Sequence, residues 1–212
     1  MKEGQILSMD AGGFRRRGLT DRLARLREDE KHMPPAQLQQ VMQEAYGPDW
    51  ETLFYGFKME PLAAASIGQV HKTISPDGRE IVLKVQYPGV ADSIDSDVDN
   101  IATLLRLPGL LPAELDIKPL LEDAKLQLKG EADYLKEAKY LQEFGKLLRN
   151  DKRFVLPEAL PELTHRNVLA MTYVSGSSID TLVTASQAER DRVMSALLEL
   201  MLLEFFELKL VQ

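Results

Sequence analysis

An aspartate–glycine turn between two apolar runs constrains the fold of this chain more than any other feature. The runs cover about residues 68–74 and 80–85, and Ser75-Pro76-Asp77-Gly78 lies between them. An Asp-Gly pair flanked by apolar segments is a strong signal for an antiparallel hairpin, because such turns need residues that tolerate a positive φ. The sequence therefore predicts two paired strands at this place.

The second of these strands ends on a lysine, Lys84, directly after Ile81-Val82-Leu83. A turn of small residues, 63–68, precedes the first strand, and backbone N–H groups in such a turn can point at anionic oxygens. A lysine on a buried strand needs a carboxylate partner. The spacing alone leaves two interpretations open: a phosphate site of the protein-kinase type, or a surface hairpin with a solvated lysine.

The rest of the chain is mainly helical. The pattern predicts helices over about 36–45, 92–107 and 120–149, the last with Glu131, Asp133 and Glu137 as carboxylates for Lys84. Strands are expected around Val155 and over 168–174. A capping box, Ser186-Gln187-Ala188-Glu189, opens a final helix. This order predicts an α+β fold and not a βαβ repeat.

Composition excludes several classes of protein. The 212 residues contain no cysteine, so neither a disulfide scaffold nor a thiolate zinc site can exist. The formal charge of −7 argues against nonspecific nucleic-acid binding. No apolar run reaches the roughly 18–20 residues that span a bilayer.

Several motifs resemble the UbiB family of atypical protein-kinase-like proteins, which is tied to coenzyme Q biosynthesis. The strongest is the run Ala63-Ala64-Ala65-Ser66-Ile67-Gly68-Gln69-Val70-His71, followed by Lys84-Val85-Gln86-Tyr87-Pro88-Gly89-Val90. Lys2-Glu3-Gly4-Gln5 resembles the family's Lys-x-Gly-Gln signature. Glu131-Ala132-Asp133-Tyr134 and the later Glu137 resemble its Glu-x-Asp signature. The likeness is closest to mitochondrial and proteobacterial members.

The resemblance implies a protein-kinase-like N-lobe with family-specific N-terminal helices and the start of a helical C-lobe. The corresponding segments are 1–52 for the helical extension, 53–174 for the lobe with its inserted helices and long C-type helix, and 175–212 for the hinge and the beginning of the C-lobe. The strand over 168–174 leads into that hinge.

It also implies an ATP/ADP site. Lys84 contacts the α- and β-phosphates, with Glu137 as its first-choice partner and Glu131 as the second. The backbone of Tyr173 and Val174 meets the adenine. The alanine-rich loop and the strand after it cover the phosphates through Ala63, Ala64, Ala65, Ser66, Ile67, Gly68, Gln69 and Val70. The family motif brings together Lys2, Gly4, Gln5, Glu131 and Asp133.

The implied function is the nucleotide-binding portion of a UbiB-type kinase or ATPase that supports ubiquinone biosynthesis, with Mg²⁺ in the full-length parent. The family's catalytic-loop aspartate and metal-binding residues do not occur before Gln212, which predicts that this chain alone is catalytically incomplete. The implied place is the matrix side of the mitochondrial inner membrane in a eukaryote, or the cytoplasmic membrane periphery in a bacterium. Two alternatives stay open: a non-catalytic module that contacts a membrane or a coenzyme Q biosynthetic complex, and an incomplete gene-model fragment.

Two other patterns have a plain alternative. The arginine-rich segment 14–27 could bind an anionic membrane surface, or it could be a solvated helix face. Asp95-x-Asp97-x-Asp99 begins like a calcium loop, but Asn100 and Arg106 stand where such a loop needs Gly and Glu. We therefore interpret these carboxylates as a solvated helix face. His32, His71 and His165 have no metal-ligand spacing and are expected to be structural.

Overall fold

The computed structural model describes residues 32–105 and 117–208. They belong to two compact units, one with residues up to 147 and 157–173, the other with 148–156 and the part from 174 onward. The predicted segments 1–52, 53–174 and 175–212 stay a prediction. The arginine-rich segment 14–27 and the motif residues Lys2, Gly4 and Gln5 lie outside the described residues.

A four-stranded antiparallel sheet forms the centre of the first unit. Its strands follow chain order: β1 (Ala63–Ala65), β2 (Gly68–Ile74), β3 (Glu80–Gln86) and β4 (Val168–Thr172). The predicted hairpin is confirmed as β2 and β3. In the register Val70 lies opposite Lys84, and Lys84 lies opposite Leu169. Lys84 is therefore on a central strand with a neighbour on each side.

The turn between β2 and β3 closes through its own polar groups. Gly78 has a φ of 86° and donates its N–H to the carbonyl of Ser75 at 2.9 Å. Arg79 donates its Nε to Asp77 at 2.7 Å, and its N–H to the Ser75 hydroxyl at 3.1 Å. The positive φ is the reason for glycine at this position.

One face of the sheet carries the main core. Ile81, Leu83 and Val85 alternate along β3 and are fully buried. They pack against helix α1 (Pro35–Tyr46) and the 3₁₀ turn Trp50–Thr52. The predicted helix over 36–45 is thus confirmed as α1. Because side chains alternate along a strand, Val82, Lys84 and Gln86 project from the opposite face.

The opposite face meets the last of the three helices that follow the hairpin. Those helices are α2 (Val90–Leu105), α3 (Lys118–Glu131) and α4 (Tyr134–Leu147). Tyr134 and Ala138 of α4 pack on Leu169 of β4. This contact places the first turns of α4 over the part of the sheet that holds Lys84.

The single helix predicted over 120–149 is wrong, because the chain breaks at Ala132-Asp133 between α3 and α4. Asp133 caps α4: its carbonyl accepts the N–H groups of Lys136 and Glu137, both at 3.0 Å. The side-chain amide of Gln86 donates to the Ala132 carbonyl at 3.0 Å, and thereby satisfies a carbonyl at the end of α3. Apolar periodicity continues across the break, so it could not show the break.

The strand expected around Val155 is also wrong, since Val155 is exposed and belongs to no strand of the described chain. Pro157 follows two residues later, and a proline cannot donate to a sheet ladder. β4 itself ends at Thr172, two residues before the predicted end.

Helices α2 and α3 are joined by charge pairs. The ammonium of Lys125 lies 2.7 Å from Asp99, and that of Lys129 lies 2.7 Å from Asp95. Asp97 instead accepts from the hydroxyl of Ser93 at 2.9 Å. The row of carboxylates on α2 is therefore largely engaged by the next helix.

The second unit contains α5 (Gln187–Leu203), which a 3₁₀ turn, Ile179–Thr184, precedes and a π-helical turn, Glu204–Leu208, follows. Ser186 caps the helix as predicted, accepting the N–H of Glu189 at 3.3 Å. Several apolar side chains of this helix and the turn after it are exposed: Met194, Leu197, Leu198, Met201, Leu202, Phe205 and Phe206. None of the helices in the described ranges is long and apolar enough to cross a bilayer.

Candidate functional site

The turn at one end of the sheet is narrower than the sequence suggests. Ala63, Ala64 and Ala65 form strand β1 and pair with Val70, Gln69 and Gly68 of β2. The turn proper is therefore Ser66-Ile67, and the predicted six-residue loop over 63–68 is corrected to a tight hairpin. Alanine is small but adopts ordinary extended backbone, so an alanine run can extend the ladder where glycines would favour an open loop.

Gly68 lets this hairpin approach β3 closely. A Cβ built on Gly68 would lie 2.2 Å from the carbonyl oxygen of Val85, a distance that real contacts do not reach. The N–H of Tyr87 donates to the carbonyl of Ile67 at 2.9 Å, which ties the turn to the chain just after β3. The position of the turn next to β3 thus depends on a residue without a Cβ at position 68.

The side chain of Ile67 anchors the turn to two apolar clusters. Its half-buried side chain packs against Ile94, Val98 and Ala132 of one apolar cluster. It also packs against the cluster that contains Tyr134 and Leu169. An apolar residue at the tip of an otherwise polar and small turn is accounted for by these contacts.

Lys84 is paired with Glu137, the residue that the sequence prediction placed first. Its ammonium donates to the two carboxylate oxygens of Glu137 at 2.8 and 3.1 Å. The lysine side chain is 19% exposed and the glutamate side chain 35%. Lys84 therefore combines a strong ion pair with an opening to solvent, as a cation that also meets a ligand requires.

Tyr134 is a further neighbour of Lys84 that the sequence did not reveal. The Lys84 ammonium lies over its ring, 4.9 Å from the centroid. The ring is fully buried, and its hydroxyl makes no hydrogen bond within the described residues. Burial, and then the charge of Glu137, raise the pKa of the Tyr134 hydroxyl. The side chain of Gln86 is close enough to oppose that shift, yet makes no hydrogen bond to the hydroxyl.

A second lysine on the same face is held in a similar way, and no sequence pattern pointed to it. The ammonium of Lys72 lies 3.8 Å from the centroid of the Tyr173 ring and 2.8 Å from a carboxylate oxygen of Glu80. Tyr173 also donates its N–H to the Glu80 carbonyl at 3.0 Å. The N–H of Tyr173, one of the backbone groups predicted to meet adenine, is thus already hydrogen-bonded. The adenine contact stays a prediction for the Tyr173 carbonyl and the backbone of Val174.

Behind the hairpin, a buried polar chain links three segments. The side-chain oxygen of Gln69 accepts the N–H of Met33 at 2.9 Å, and its Nε2 lies 2.8 Å from Nε2 of His71. Nδ1 of His71 lies 2.8 Å from the Lys58 carbonyl, and the imidazole stacks on Phe57. The carbonyl can only accept, so Nδ1 carries the proton and Nε2 accepts from the amide. His71 is therefore structural, as predicted.

This arrangement predicts a loss of stability in mild acid. Burial lowers the pKa of His71 below its ordinary value of about 6.5, so protonation is easier in the unfolded chain than in the folded one. The neutral imidazole contributes its full stabilisation above that value, and the contribution is lost as the pH falls below it. Urea unfolding between pH 7.5 and 5 should show this decrease, and His71→Phe should flatten it. An equally steep decrease in that variant would contradict the assignment. Burial also lowers the pKa of His165, so this residue should cause a small loss of stability in acid that remains in the His71→Phe variant.

The other motif residues are only partly described. Glu131 ends α3 and Asp133 caps α4, so both lie beside Tyr134 at the edge of the site. Their predicted partners Lys2 and Gln5, together with Gly4, lie outside the described residues. The proposed contact between the two motifs stays a prediction.

The geometry defines a class of protein. Three features make up an α+β, protein-kinase-like N-lobe: a tight hairpin at one end of the sheet, a central-strand lysine paired with a carboxylate on α4, and a last strand that leads out of the unit. The order of the elements confirms the α+β prediction.

Comparisons with known proteins give the family. The model of the ABC1 atypical kinase-like domain matches residues 25–212. The chain is 39% identical over its full length to the atypical kinase COQ8, mitochondrial, of Saccharomyces cerevisiae, of which it covers 42%. It is 38% identical to COQ8B, mitochondrial, of Danio rerio, covering 34% of that protein, and 36% identical to coq-8, mitochondrial, of Caenorhabditis elegans, covering 28%. The chain belongs to the ABC1 atypical kinase-like family, in the group that includes COQ8 and UbiB proteins, and spans less than half the length of these relatives.

A solved structure supports the fold independently. The complex of Rv3197 with erythromycin, from Mycobacterium tuberculosis, matches 96% of this chain and 48% of its own, with a TM-score of 0.68 and 24% sequence identity. At this identity the likeness concerns the fold, and it agrees with the kinase-like N-lobe described above.

Proposed function

We propose that this chain binds ATP or ADP on the face of the sheet that carries Lys84. The observation that supports this most is the ion pair between Lys84 and Glu137, at 2.8 Å, on a partly open sheet face next to β2. A lysine held in this way presents a fixed positive charge, and phosphate oxygens are its natural ligands. In this proposal Lys84 contacts the α- and β-phosphates.

The neighbouring residues fit the rest of a nucleotide. The small side chains of β1 and the close approach at Gly68 leave the hairpin backbone near the phosphates, with Ser66 in the turn. In the same proposal, the carbonyl of Tyr173 and the backbone of Val174 meet the adenine. Within residues 32–105 and 117–208, no three His, Asp or Glu side chains are gathered as a metal site requires. We assign no magnesium ligand among these residues, and the proposal concerns binding.

The biological role that we propose follows from the family. The relatives from yeast, zebrafish and nematode are named as mitochondrial atypical kinases. We propose that the protein acts as a kinase or ATPase in support of ubiquinone biosynthesis, in mitochondria if the source is eukaryotic. The matrix face of the inner membrane, an anionic lipid surface and a coenzyme Q biosynthetic complex are parts of the same proposal. For a bacterial source, the periphery of the cytoplasmic membrane takes the place of the mitochondrion.

A second candidate function is non-catalytic protein interaction. The exposed apolar side chains of α5, among them Met194 and Leu198, favour it, since exposed patches of this kind mark contact surfaces. In that case Lys84 would have no role, and nucleotide would not change the stability of the chain.

Thermal unfolding with and without MgADP tests the choice. We expect the wild type to gain about 2.7 kcal/mol at a nucleotide concentration of 100 times its Kd, which is a rise of a few degrees in Tm. Lys84→Met should lose most of that rise, because it removes the charge that meets the phosphates.

Lys125→Met is the matched control for this experiment. The side chain of Lys125 is 16% exposed, so it is as enclosed as that of Lys84. Lys125 lies on α3 and is paired with Asp99 of α2, and neither residue belongs to the proposed nucleotide site. The control should keep the full response to MgADP. A cooperative wild-type transition that MgADP does not shift would contradict nucleotide binding and favour the interaction module.

A further inference from the structure

Tyr134 lies where three parts of the site meet. It is the first residue of α4, and its N–H donates to the carbonyl of Arg166 at 3.2 Å. The ring belongs to the apolar cluster on which Ile67, at the tip of the hairpin, also rests. The same ring lies beneath the ammonium of Lys84. The ring thus contacts the lysine of the proposed nucleotide site and belongs to the cluster that supports the turn.

The Tyr134 ring and the Glu137 carboxylate, both on α4, contact the same Lys84 ammonium. Glu137 follows Tyr134 by three residues, so both project from the same face of α4. The distance of 4.9 Å between the Lys84 ammonium and the ring centroid is within the range of a cation–π contact. Such a contact is strongest when the cation is partly desolvated, and the Lys84 side chain is only 19% exposed.

Filling the core does not account for a tyrosine here. Its hydroxyl is buried without a hydrogen bond in the described part of the chain, and such a group costs stability. A phenylalanine would fill nearly the same space without that cost. A phenylalanine would also offer the same aromatic face, so the contact with Lys84 depends on the ring and not on the hydroxyl.

We propose that Tyr134 is a positioning residue for Lys84. Its ring holds the ammonium at the sheet face while Glu137 balances the charge, so that the lysine meets a bound phosphate in one orientation. Because Ile67 rests on the same cluster, the ring also sets the lysine relative to the hairpin above it. This inference rests on the proposed nucleotide site.

The test changes the ring in steps. Tyr134→Phe keeps the aromatic face, pentafluorophenylalanine at position 134 keeps a ring of similar shape but makes its π face unfavourable to a cation, and Tyr134→Leu removes the ring. Phe144→Leu is the matched control, since Phe144 is a buried aromatic residue of the same helix that lies outside the cluster of Tyr134. The readouts are cooperative unfolding, the Kd for MgADP, and the Cε–Hε resonance of Lys84 in protein labelled at lysine Cε. Lys84→Met assigns that resonance.

In the wild type and in Tyr134→Phe we expect an upfield ring-current shift of the Lys84 Hε resonance. The shift should weaken with pentafluorophenylalanine, as side-chain order falls, and disappear in Tyr134→Leu. The Kd for MgADP should stay within about twofold in Tyr134→Phe and rise roughly three- to tenfold in the other two. Phe144→Leu should lower stability and leave the resonance and the Kd unchanged.

Two results would overturn the inference. One is an unchanged Lys84 resonance and Kd with pentafluorophenylalanine, which decides the matter even if Tyr134→Leu does not fold. The other is an equal change in Phe144→Leu, which would reduce Tyr134 to a core residue. If no form binds MgADP, the nucleotide proposal fails, while the Lys84 resonance still shows whether Tyr134 holds the lysine.

Discussion

We expect Gly68→Ala to lower the free energy of unfolding by about 2–4 kcal/mol. The new Cβ would stand 2.2 Å from the Val85 carbonyl oxygen and 2.9 Å from its carbon, both parts of the backbone of β3. No side-chain rotation can relieve a clash between two backbones, so β2 has to move away from β3 at this end. The movement would also carry the Ser66-Ile67 turn away from Lys84.

Urea unfolding and the MgADP response measure both consequences. Gly145→Ala is the control, because Gly145 lies inside α4 with nothing within 4 Å of a built Cβ. There the same substitution should stabilise the protein by about 0.5–1 kcal/mol, through better helix propensity. A Gly68→Ala variant as stable as the wild type, with an intact MgADP response, would show that the hairpin tolerates separation from β3.

The parts of the fold that were predicted correctly depend on local signals. Asp77-Gly78 fixes a turn with a positive φ, and the alternation on either side of it gives β2 and β3 almost to the residue. Ser186 caps α5 through a residue three positions later, which is again a local contact. Such features can be read from a few adjacent residues, because the interacting groups are neighbours in the chain.

The parts that were missed depend on contacts between distant residues. Gln86 stabilises the break between α3 and α4 from 46 residues away, and the break interrupts neither the apolar pattern nor the composition. The contacts of Lys72 with Tyr173 and of Lys84 with Tyr134 depend on the sheet register and on the packing of α4, and sequence spacing does not predict them. For the pair Lys84–Glu137, 53 residues apart, the sequence pattern offered Glu137 as one of three carboxylates, and the family resemblance put it first.

The second large effect is expected for Gln69→Leu, which should lower the free energy of unfolding by about 2–4 kcal/mol. Gln69 is 1% exposed and satisfies two buried groups at once, the N–H of Met33 and Nε2 of His71. Leucine has a similar size but neither donor nor acceptor, so both groups would stay buried and unpaired, at about 1–3 kcal/mol each. Part of that cost would be avoided if the segment around Met33 separates from the sheet and its N–H meets water.

Hydrogen exchange and urea unfolding distinguish these two routes. If the segment separates, the amide of Met33 should exchange faster in Gln69→Leu while the amides of β3 keep their protection. Gln86→Leu is the control, because Gln86 is also a buried glutamine of this sheet, but within the described residues its side chain makes one hydrogen bond, to the Ala132 carbonyl. Its cost should be about half as large, and the Met33 amide should be unaffected. Equal costs for the two variants, with unchanged exchange at Met33, would mean that the chain from Met33 to His71 does not depend on Gln69. A larger cost at position 69 would show that this one amide holds the segment before α1 against strand β2.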